Sequence, residues 1–356
     1  MIGEFHQNKL DLMILEGDSN KLIFLYLLFS LLICSCNSPK EIKPFSTLKG
    51  FAQGTTYSIK YQDFLERDFT KSIDSILIEI DNQLSTYDST SFISIINNAE
   101  DSCFNLKEKN LFSYCFNFSK IINQRTSGLF NPAIYPLVNY WGFYAGTDPL
   151  IDSNYIRDSL LVHVNLDSNF EIKKKGNESF ICKKNKNSKL DFNAVAQGYS
   201  VDLVSEFLVD RGINNYLVEI GGELSSKGFN SNGDYWKIGI EKPVDSSLIG
   251  QFGFQRIVEL KNSSLATSGN YRKFKIINGQ KVSHSINPNT GFPSNNSLLS
   301  VTVICEMAAN ADALATSFML MGKEKSIEYV NKNKSDSIFC YLIYDSLNNL
   351  KEWSNF

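Results

Sequence analysis

The chain has 356 residues, 43% of them hydrophobic and 21% charged, enough for a sizeable core in one large domain or two intimately joined ones. A net charge of −3 and a pI near 5.8 exclude a protein that wraps nucleic acid electrostatically. The 26 Phe and 16 Tyr favour a β-rich or mixed architecture over a helical bundle.

Residues 1–20 are polar and read as a doubtful N-terminal extension, with Met13 an alternative initiator. KLIFLYLLFSLLICSC, Lys21 to Cys36, then sets a basic residue before an apolar run of signal-peptide length. Its end, Ile33-Cys34-Ser35-Cys36, resembles a bacterial lipobox: a small residue precedes a cysteine, and an aliphatic residue lies three before it. On that resemblance Cys36 is the lipidation site and first residue of the mature protein. Cys34 fits less well because isoleucine precedes it. A single transmembrane anchor is the alternative, opposed by the shortness of the run and the cysteines that end it. The expected organisation is a signal peptide over 21–35, a lipidated tether over 36–47 containing the polar NSPKEIKPF, and one folded domain over 48–356. Such a protein is exported and anchored to a membrane by lipid, facing the periplasm or the cell exterior.

Cys103, Cys115, Cys182, Cys305 and Cys340 show no CxxC pair and no metal-ligand spacing. A Cys103–Cys115 bridge is one option; isolated buried thiols are the favoured one. Along the chain, FAQGTTYSIKY (Phe51 to Tyr61) alternates at its end and predicts a strand. Ile73, Ile76, Leu77 and Ile80 then recur at helical spacing. STYDSTSFISIINN predicts a turn and a short helix, and Leu111 to Gln124 a further amphipathic one. SGLFNPAIYPLVNYWGF, Ser127 to Phe143, predicts an irregular buried loop, costly in backbone groups unless something useful passes through it. Gly146 to Ser188 is polar and lysine-rich and predicts edge strands.

Leu190 to Phe192 predicts a short strand. A helix follows from near Ala194 to Arg211-Gly212, the glycine serving as its stop, and then a strand over Tyr216 to Ile220. This β-α-β passage offers helix N-terminal amides to an anion, although a plain βαβ unit needs no ligand. Asn232-Gly233 and Asn278-Gly279 predict hairpin turns. The last predicted strand is Leu298 to Cys305, leading into a final helix. Strands alternating with helices and hairpins place the fold in the α+β class, layered antiparallel or mixed sheets with packed helices.

Candidate chemistry is sparse. Of three histidines, His6 precedes the signal and His163 lies in the weakly patterned stretch. His284 shares a strand face with Val282 and Ile286. It is a candidate base, a satisfied structural histidine being the alternative. In ANADALATSFMLMG, Asp312 and Thr316 stand one turn apart on a helix that is apolar nearly all round. A carboxylate there costs several kcal/mol unless paired or metal-bound. A carboxylate and a hydroxyl one turn apart make a partial shell for Mg²⁺, which keeps waters and phosphate oxygens as its other ligands. An arginine partner for Asp312 is the alternative.

FAQGTTYSIKY, LSTYDSTSFISIIN, SGLFNPAIYPLVNYWGF, LDFNAVAQGYSVDLV, YLVEIGGELSSKG, IGIEKP, ATSGNYRKF, SHSINPNTGFP and ADALATSFMLMG occur in that order, over roughly residues 48–330. Together they resemble the ApbE family of FAD:protein FMN transferases. The resemblance implies a layered fold with flavin in a central cleft, and an enzyme that transfers FMN from FAD to a Thr or Ser hydroxyl of a target protein, releasing AMP. It implies Mg²⁺ as cofactor, bound by Asp312, Thr316 and the Ala194 backbone carbonyl, and His284 as base. FAD contacts fall at Gln53, Tyr87, Leu129, Phe130, Asn131, Asp191, Gln197 and Ile286. Its acceptors would be flavin-carrying subunits of Na⁺-pumping NADH:quinone oxidoreductases, of Rnf-type complexes, or of related exported proteins. Amides stand at Asn131, Asn287 and Gln197, where the family usually carries charge. Two rivals share the site: an FAD pyrophosphatase yielding FMN and AMP, and a flavin-binding lipoprotein without catalysis.

Overall fold

A computed structural model describes residues 44–100, 102–144, 151–243, 253–270, 274–277 and 279–356. The N-terminal extension, the signal peptide, Cys36 and most of the expected tether lie outside the described residues. Among the described residues, no helix is long and apolar enough to cross a membrane.

Phe51 to Tyr61, expected as one strand, instead contains a reversal. β1 (Ser46–Ala52) and β2 (Thr55–Tyr61) pair antiparallel with Ala52 opposite Thr55. Gln53 and Gly54 turn the chain with φ of 53° and 70°, the left-handed geometry whose twist suits a two-residue hairpin. The glycine adopts it freely, the glutamine at some cost. Tyr57, Ile59 and Tyr61 of β2 point inward. Ile73, Leu77 and Ile80 of α1 (Thr70–Leu84) join them in one core, as the helical spacing predicts. Ser91 caps α2 (Phe92–Asn98), its Oγ accepting the Ser94 N–H at 3.2 Å. α3 (Asn110–Arg125) matches the predicted amphipathic helix closely.

The main sheet runs β1-β2-β6-β7-β10-β13-β14-β15 in spatial order, every pairing antiparallel. Its later members are β6 (Tyr216–Ile220), β7 (Glu223–Lys227), β10 (Ser264–Gly269), β13 (Leu298–Cys305), β14 (Phe339–Ser346) and β15 (Asn349–Ser354). Alternation sorts the two faces. Val301, Val303, Cys340 and Leu342 pack with α6 (Ala308–Met321) and α7 (Lys323–Lys332). Ile304, Tyr341 and Ile343 face the other way, toward Trp236, Val258 and Leu260. Those belong to the separate antiparallel pair β8 (Trp236–Glu241) and β9 (Phe254–Leu260). The result is the expected α+β class: helices, a sheet, and a second small sheet in layers.

Several local expectations are corrected. Leu190 to Phe192 is not a strand. The Leu190 N–H donates to Asn97 Oδ1 at 2.7 Å and its carbonyl accepts from Asn97 Nδ2 at 2.8 Å. A side chain thus takes the place of a sheet edge, and no β-α-β unit forms; α5 (Ala196–Asp210) leads into β6, whose partners β2 and β7 are antiparallel. Asn232-Gly233 lies in a tight turn in which the Asn230 N–H bonds the Asp234 carbonyl at 2.8 Å. The strands on either side of it, β7 and β8, belong to different sheets, so it makes no hairpin. The second dipeptide does: β11 (Phe274–Ile277) and β12 (Gln280–Ser283) pair with Ile277 opposite Gln280.

The polar stretch after Gly146 holds short helical turns over 153–169, then β4 (Phe170–Lys175) and β5 (Glu178–Lys183). These form a separate sheet with β3 (Ser102–Asn105), in the order β3-β5-β4. Cys103 and Cys182 face each other across β3 and β5 and form a disulfide, so neither a Cys103–Cys115 bridge nor a full set of free thiols is present. Cys115, Cys305 and Cys340 are free and buried. Cys305 does not end the last strand, because β14 and β15 follow α7 and complete the sheet.

Candidate functional site

The first turns of α5 and α6 lie against each other, and glycine makes the approach possible. A Cβ added to Gly198 would sit 2.4 Å from the Ala308 carbonyl oxygen. Gly198 lies in the first turn of α5, whose N–H groups have no partner within the helix. Its N–H donates to Asp312 Oδ2 at 3.2 Å.

Asp202, one turn further along α5, accepts the Ala308 N–H at 2.7 Å and the Ala309 N–H at 2.9 Å through its two carboxylate oxygens. Asp312 and Asp202 are both buried, and among the described residues no Lys or Arg pairs with either. Burial is the main cause that raises both carboxyl pKa values. For Asp312 the nearby Asp202 adds like-charge repulsion, and the Gly198 N–H partly offsets it. Thr316 is half-buried one turn beyond Asp312. Among the described residues no group of three or more His, Cys, Asp or Glu side chains could hold a metal. The donor set expected from Asp312, Thr316 and Ala194 is one carboxylate, one hydroxyl and one backbone carbonyl. All are oxygens, and the carboxylate lacks a compensating charge, so the set fits a hard divalent cation that needs few protein ligands.

Asp191 is a third buried carboxylate, after Asp312 and Asp202. Its N–H bonds the Pro132 carbonyl at 2.7 Å, tying it to the loop that carries Leu129 to Asn131. Oδ2 accepts from the Tyr144 hydroxyl at 2.6 Å and Oδ1 from the Asn193 N–H at 2.7 Å. Burial raises its pKa against these two bonds. The Tyr144 ring stacks on Tyr135 at 4.5 Å and lies 5.6 Å from Tyr87, whose side chain is 77% exposed. An exposed aromatic face beside a buried carboxylate offers stacking and hydrogen bonding to a planar heterocycle.

Gln53 reaches from the β1–β2 turn to α5, its Nε2 donating to Ser200 Oγ at 2.6 Å, while its buried Oε1 has no hydrogen-bond partner. Gln197 lies against Gly221, where an added Cβ would come within 2.4 Å of its Nε2. Leu129 is half-buried, whereas Phe130 and Ile286 are core side chains. Asn131 donates to the Val164 carbonyl at 2.9 Å and accepts the Ala133 N–H at 2.9 Å. It opens on a cavity of about 320 Å³, also lined by Asn123, Asp167, Pro288 and Asn289. His284 is half-buried just past β12, with its ring 6.3 Å from Phe143, the neighbour of Tyr144. Trp141 Nε1 donates to the Gly291 carbonyl at 2.8 Å and holds the loop after His284 against α4 (Tyr135–Tyr140).

Contacts therefore link the residues in two groups. Asp312 meets the first turn of α5 through Gly198, with Ala194 two residues before that helix and Thr316 one turn beyond Asp312 on α6. Asp191 and Tyr87 meet at Tyr144, the Pro132 carbonyl ties Asp191 to the loop that carries Leu129 to Asn131, and His284 lies near Phe143. Sequence reasoning missed Gly198, Asp202 and Tyr144. Asp202 had a readable signal, an acidic residue in a largely apolar helix; Tyr144 had none among so many aromatics.

An antiparallel sheet backed by helices, with buried carboxylates between the first turns of two of them, defines an α+β protein with a polar candidate site. The ApbE family model matches residues 53–341. The chain is 33% identical to the FAD:protein FMN transferase of Vibrio cholerae (strain O395), over 85% of this chain and 89% of that protein. It is 31% identical to the Haemophilus influenzae protein of the same name, over 85% and 87%. Among solved structures, the flavin transferase ApbE from Vibrio cholerae superposes with a TM-score of 0.75 at 32% identity, covering 87% of this chain and 97% of that one. The apo flavinyl transferase ApbE of Pseudomonas stutzeri gives 0.76 at 29% identity, covering 87% and 94%. The chain belongs to the ApbE family.

Proposed function

We propose that this protein is an FAD:protein FMN transferase that moves the FMN half of FAD onto a Thr or Ser hydroxyl of a target protein. In the reaction the acceptor oxygen bonds to the FMN phosphorus. The bond from that phosphorus to the bridging oxygen breaks, and AMP leaves with that oxygen. The proton of the acceptor hydroxyl goes to His284, a contribution of about 10²–10⁴-fold for a well-placed base. Asp191, Tyr144 and Tyr87 bind and orient the flavin end of the substrate, with Gln53 and Gln197 at the start of α5.

Asp312, Thr316 and the Ala194 carbonyl would hold Mg²⁺. When bound, that ion neutralises pyrophosphate charge and supplies Lewis-acid assistance to phosphoryl transfer. The observation that carries the proposal is the buried Asp312 carboxylate, which among the described residues no Lys or Arg pairs and which accepts the first-turn Gly198 amide of α5. Asp312→Ala tests it. AMP released from FAD in the presence of an acceptor should fall about 10²–10³-fold, the loss typical of removing one preorganised electrostatic group, while far-ultraviolet circular dichroism stays unchanged. Release at the wild-type rate would remove the metal assignment.

The proposal extends to location: a lipoprotein anchored through Cys36 and working outside the cytoplasmic membrane. The Cys103–Cys182 disulfide supports this, being at home in an oxidising compartment. Flavin-carrying subunits of Na⁺-pumping NADH:quinone oxidoreductases, Rnf-type complexes or related exported proteins are the acceptors this reading favours.

A further inference from the structure

The donor oxygens of the metal reading come from two separate helices, and what holds those helices in register is visible. α6 has no cap of its own; Met307 precedes it and supplies no side-chain bond. The role usually filled by a local Ser, Thr, Asp or Asn is taken by Asp202, from the neighbouring helix and more than one hundred residues earlier. In return the Gly198 N–H, one turn before Asp202, donates to Asp312. The two helices therefore clasp each other reciprocally. α5 offers a carboxylate to the amides of α6, and α6 offers a carboxylate to an amide of α5. The missing side chain at Gly198 lets the two helices approach closely, since an added Cβ would meet the Ala308 backbone. A buried carboxylate is an expensive way to join two helices, since apolar residues of similar volume would cover the same surface at lower cost.

We propose that Asp202 is a positioning residue for the divalent-cation site. By gripping the first turn of α6 it sets Asp312 and Thr316 against the start of α5, where the Ala194 carbonyl lies. The inference rests on the metal reading given under Proposed function and adds to it a residue that touches neither metal nor substrate.

Mn²⁺ titrated calorimetrically into the folded chain with FAD present supplies the test, alongside amide exchange at Ala308 and Ala309. Asp202→Ala should weaken Mn²⁺ binding about 10- to 100-fold, the range for residues that orient metal ligands, and should strip protection from those two amides. Asp202→Asn keeps one acceptor oxygen and should weaken binding about fivefold; this variant carries the comparison if Asp202→Ala does not fold. Val330→Ala removes core volume beneath α7; it should lower the melting temperature and leave Mn²⁺ affinity unchanged.

Mn²⁺ affinity in the Asp202 variants within about twofold of wild type, or an equal loss in Val330→Ala, overturns the positioning role alone. Wild-type protein that binds no Mn²⁺ overturns the metal reading together with it.

Discussion

On the family resemblance Asn131 stands in place of a carboxylate, and its hydrogen bonds explain why an amide suits this chain. Its Nδ2 donates to the Val164 carbonyl while its Oδ1 accepts the Ala133 N–H. A carboxylate could replace only the second of these. Asn131→Asp should turn an attraction into a clash of acceptors and cost about 1–3 kcal/mol, read as a lower urea midpoint; an unchanged midpoint would show that the donated bond carries no weight. Asn287 differs, since its Oδ1 accepts the Asn289 N–H at 2.9 Å within its own turn, a bond a carboxylate would also make. Tyr144 supports Asp191 from a loop whose aromatics all look alike in sequence. Tyr144→Phe removes the 2.6 Å bond to a buried carboxylate and should weaken FAD binding about tenfold, the equivalent of one such bond. Flavin fluorescence titration measures this, and wild-type affinity would separate Tyr144 from the flavin site. Asp312 was legible because a charge on an apolar helix demands a reason. Asp191 and Gln53 were legible through the family's motifs alone, since neither spacing nor composition marks them.

Among the elements, those with strong periodicity read correctly. α1 and α3 show their buried faces in the sequence, because each packs one stripe on a core, and α6 reads as a helix buried nearly all round. Elements decided by partners distant in the chain did not read. Leu190 to Phe192 looks like a strand, but its backbone is satisfied by the Asn97 side chain. The β14–β15 hairpin turns at Leu347-Asn348, with φ of 54° and 61°, a pair without the glycine that usually announces such a turn.

The connection from β2 to α1 is held by Asp63, which accepts from Arg67 Nε at 2.7 Å and Nη2 at 3.0 Å and from the Leu65 and Arg67 amides. The Arg67 bonds are the largest cause holding its pKa at about 2 instead of 3.8. A carboxyl depressed in this way contributes stability that is complete above pH 3.8 and disappears as pH falls through about 2. Asp63→Asn should cost about 1–3 kcal/mol at neutral pH. In parallel denaturation curves the gap between the two proteins should close across that acidic window, and a gap constant with pH would assign the stabilisation elsewhere.

At the scale of the whole molecule, the three-stranded sheet is tied by Cys103–Cys182, two residues separated by 79 positions in the chain. Reduction should destabilise the folded protein by about 2–4 kcal/mol, measurable as a lower melting temperature in dithiothreitol; Cys103→Ser with Cys182→Ser should mimic it, and an unshifted transition would leave the bridge without a stabilising role. The pairing was illegible because an odd number of spaced cysteines fixes no partner, whereas the opposed register of β3 and β5 does. The α+β class was readable, because motif order carries topology when nine segments agree. What motif order cannot carry is the contact between α5 and α6, made by residues more than one hundred positions apart.

Transfer rather than hydrolysis is the central claim, and one measurement separates the two. The folded chain is incubated with FAD and Mg²⁺, with an acceptor flavoprotein subunit, with the same subunit lacking its target Thr or Ser, or with no acceptor. AMP and protein-bound flavin fluorescence are then quantified together. The account predicts AMP and covalent flavin in equal amounts with the intact acceptor, and little of either without it. Rapid AMP release that is indifferent to the acceptor would contradict it.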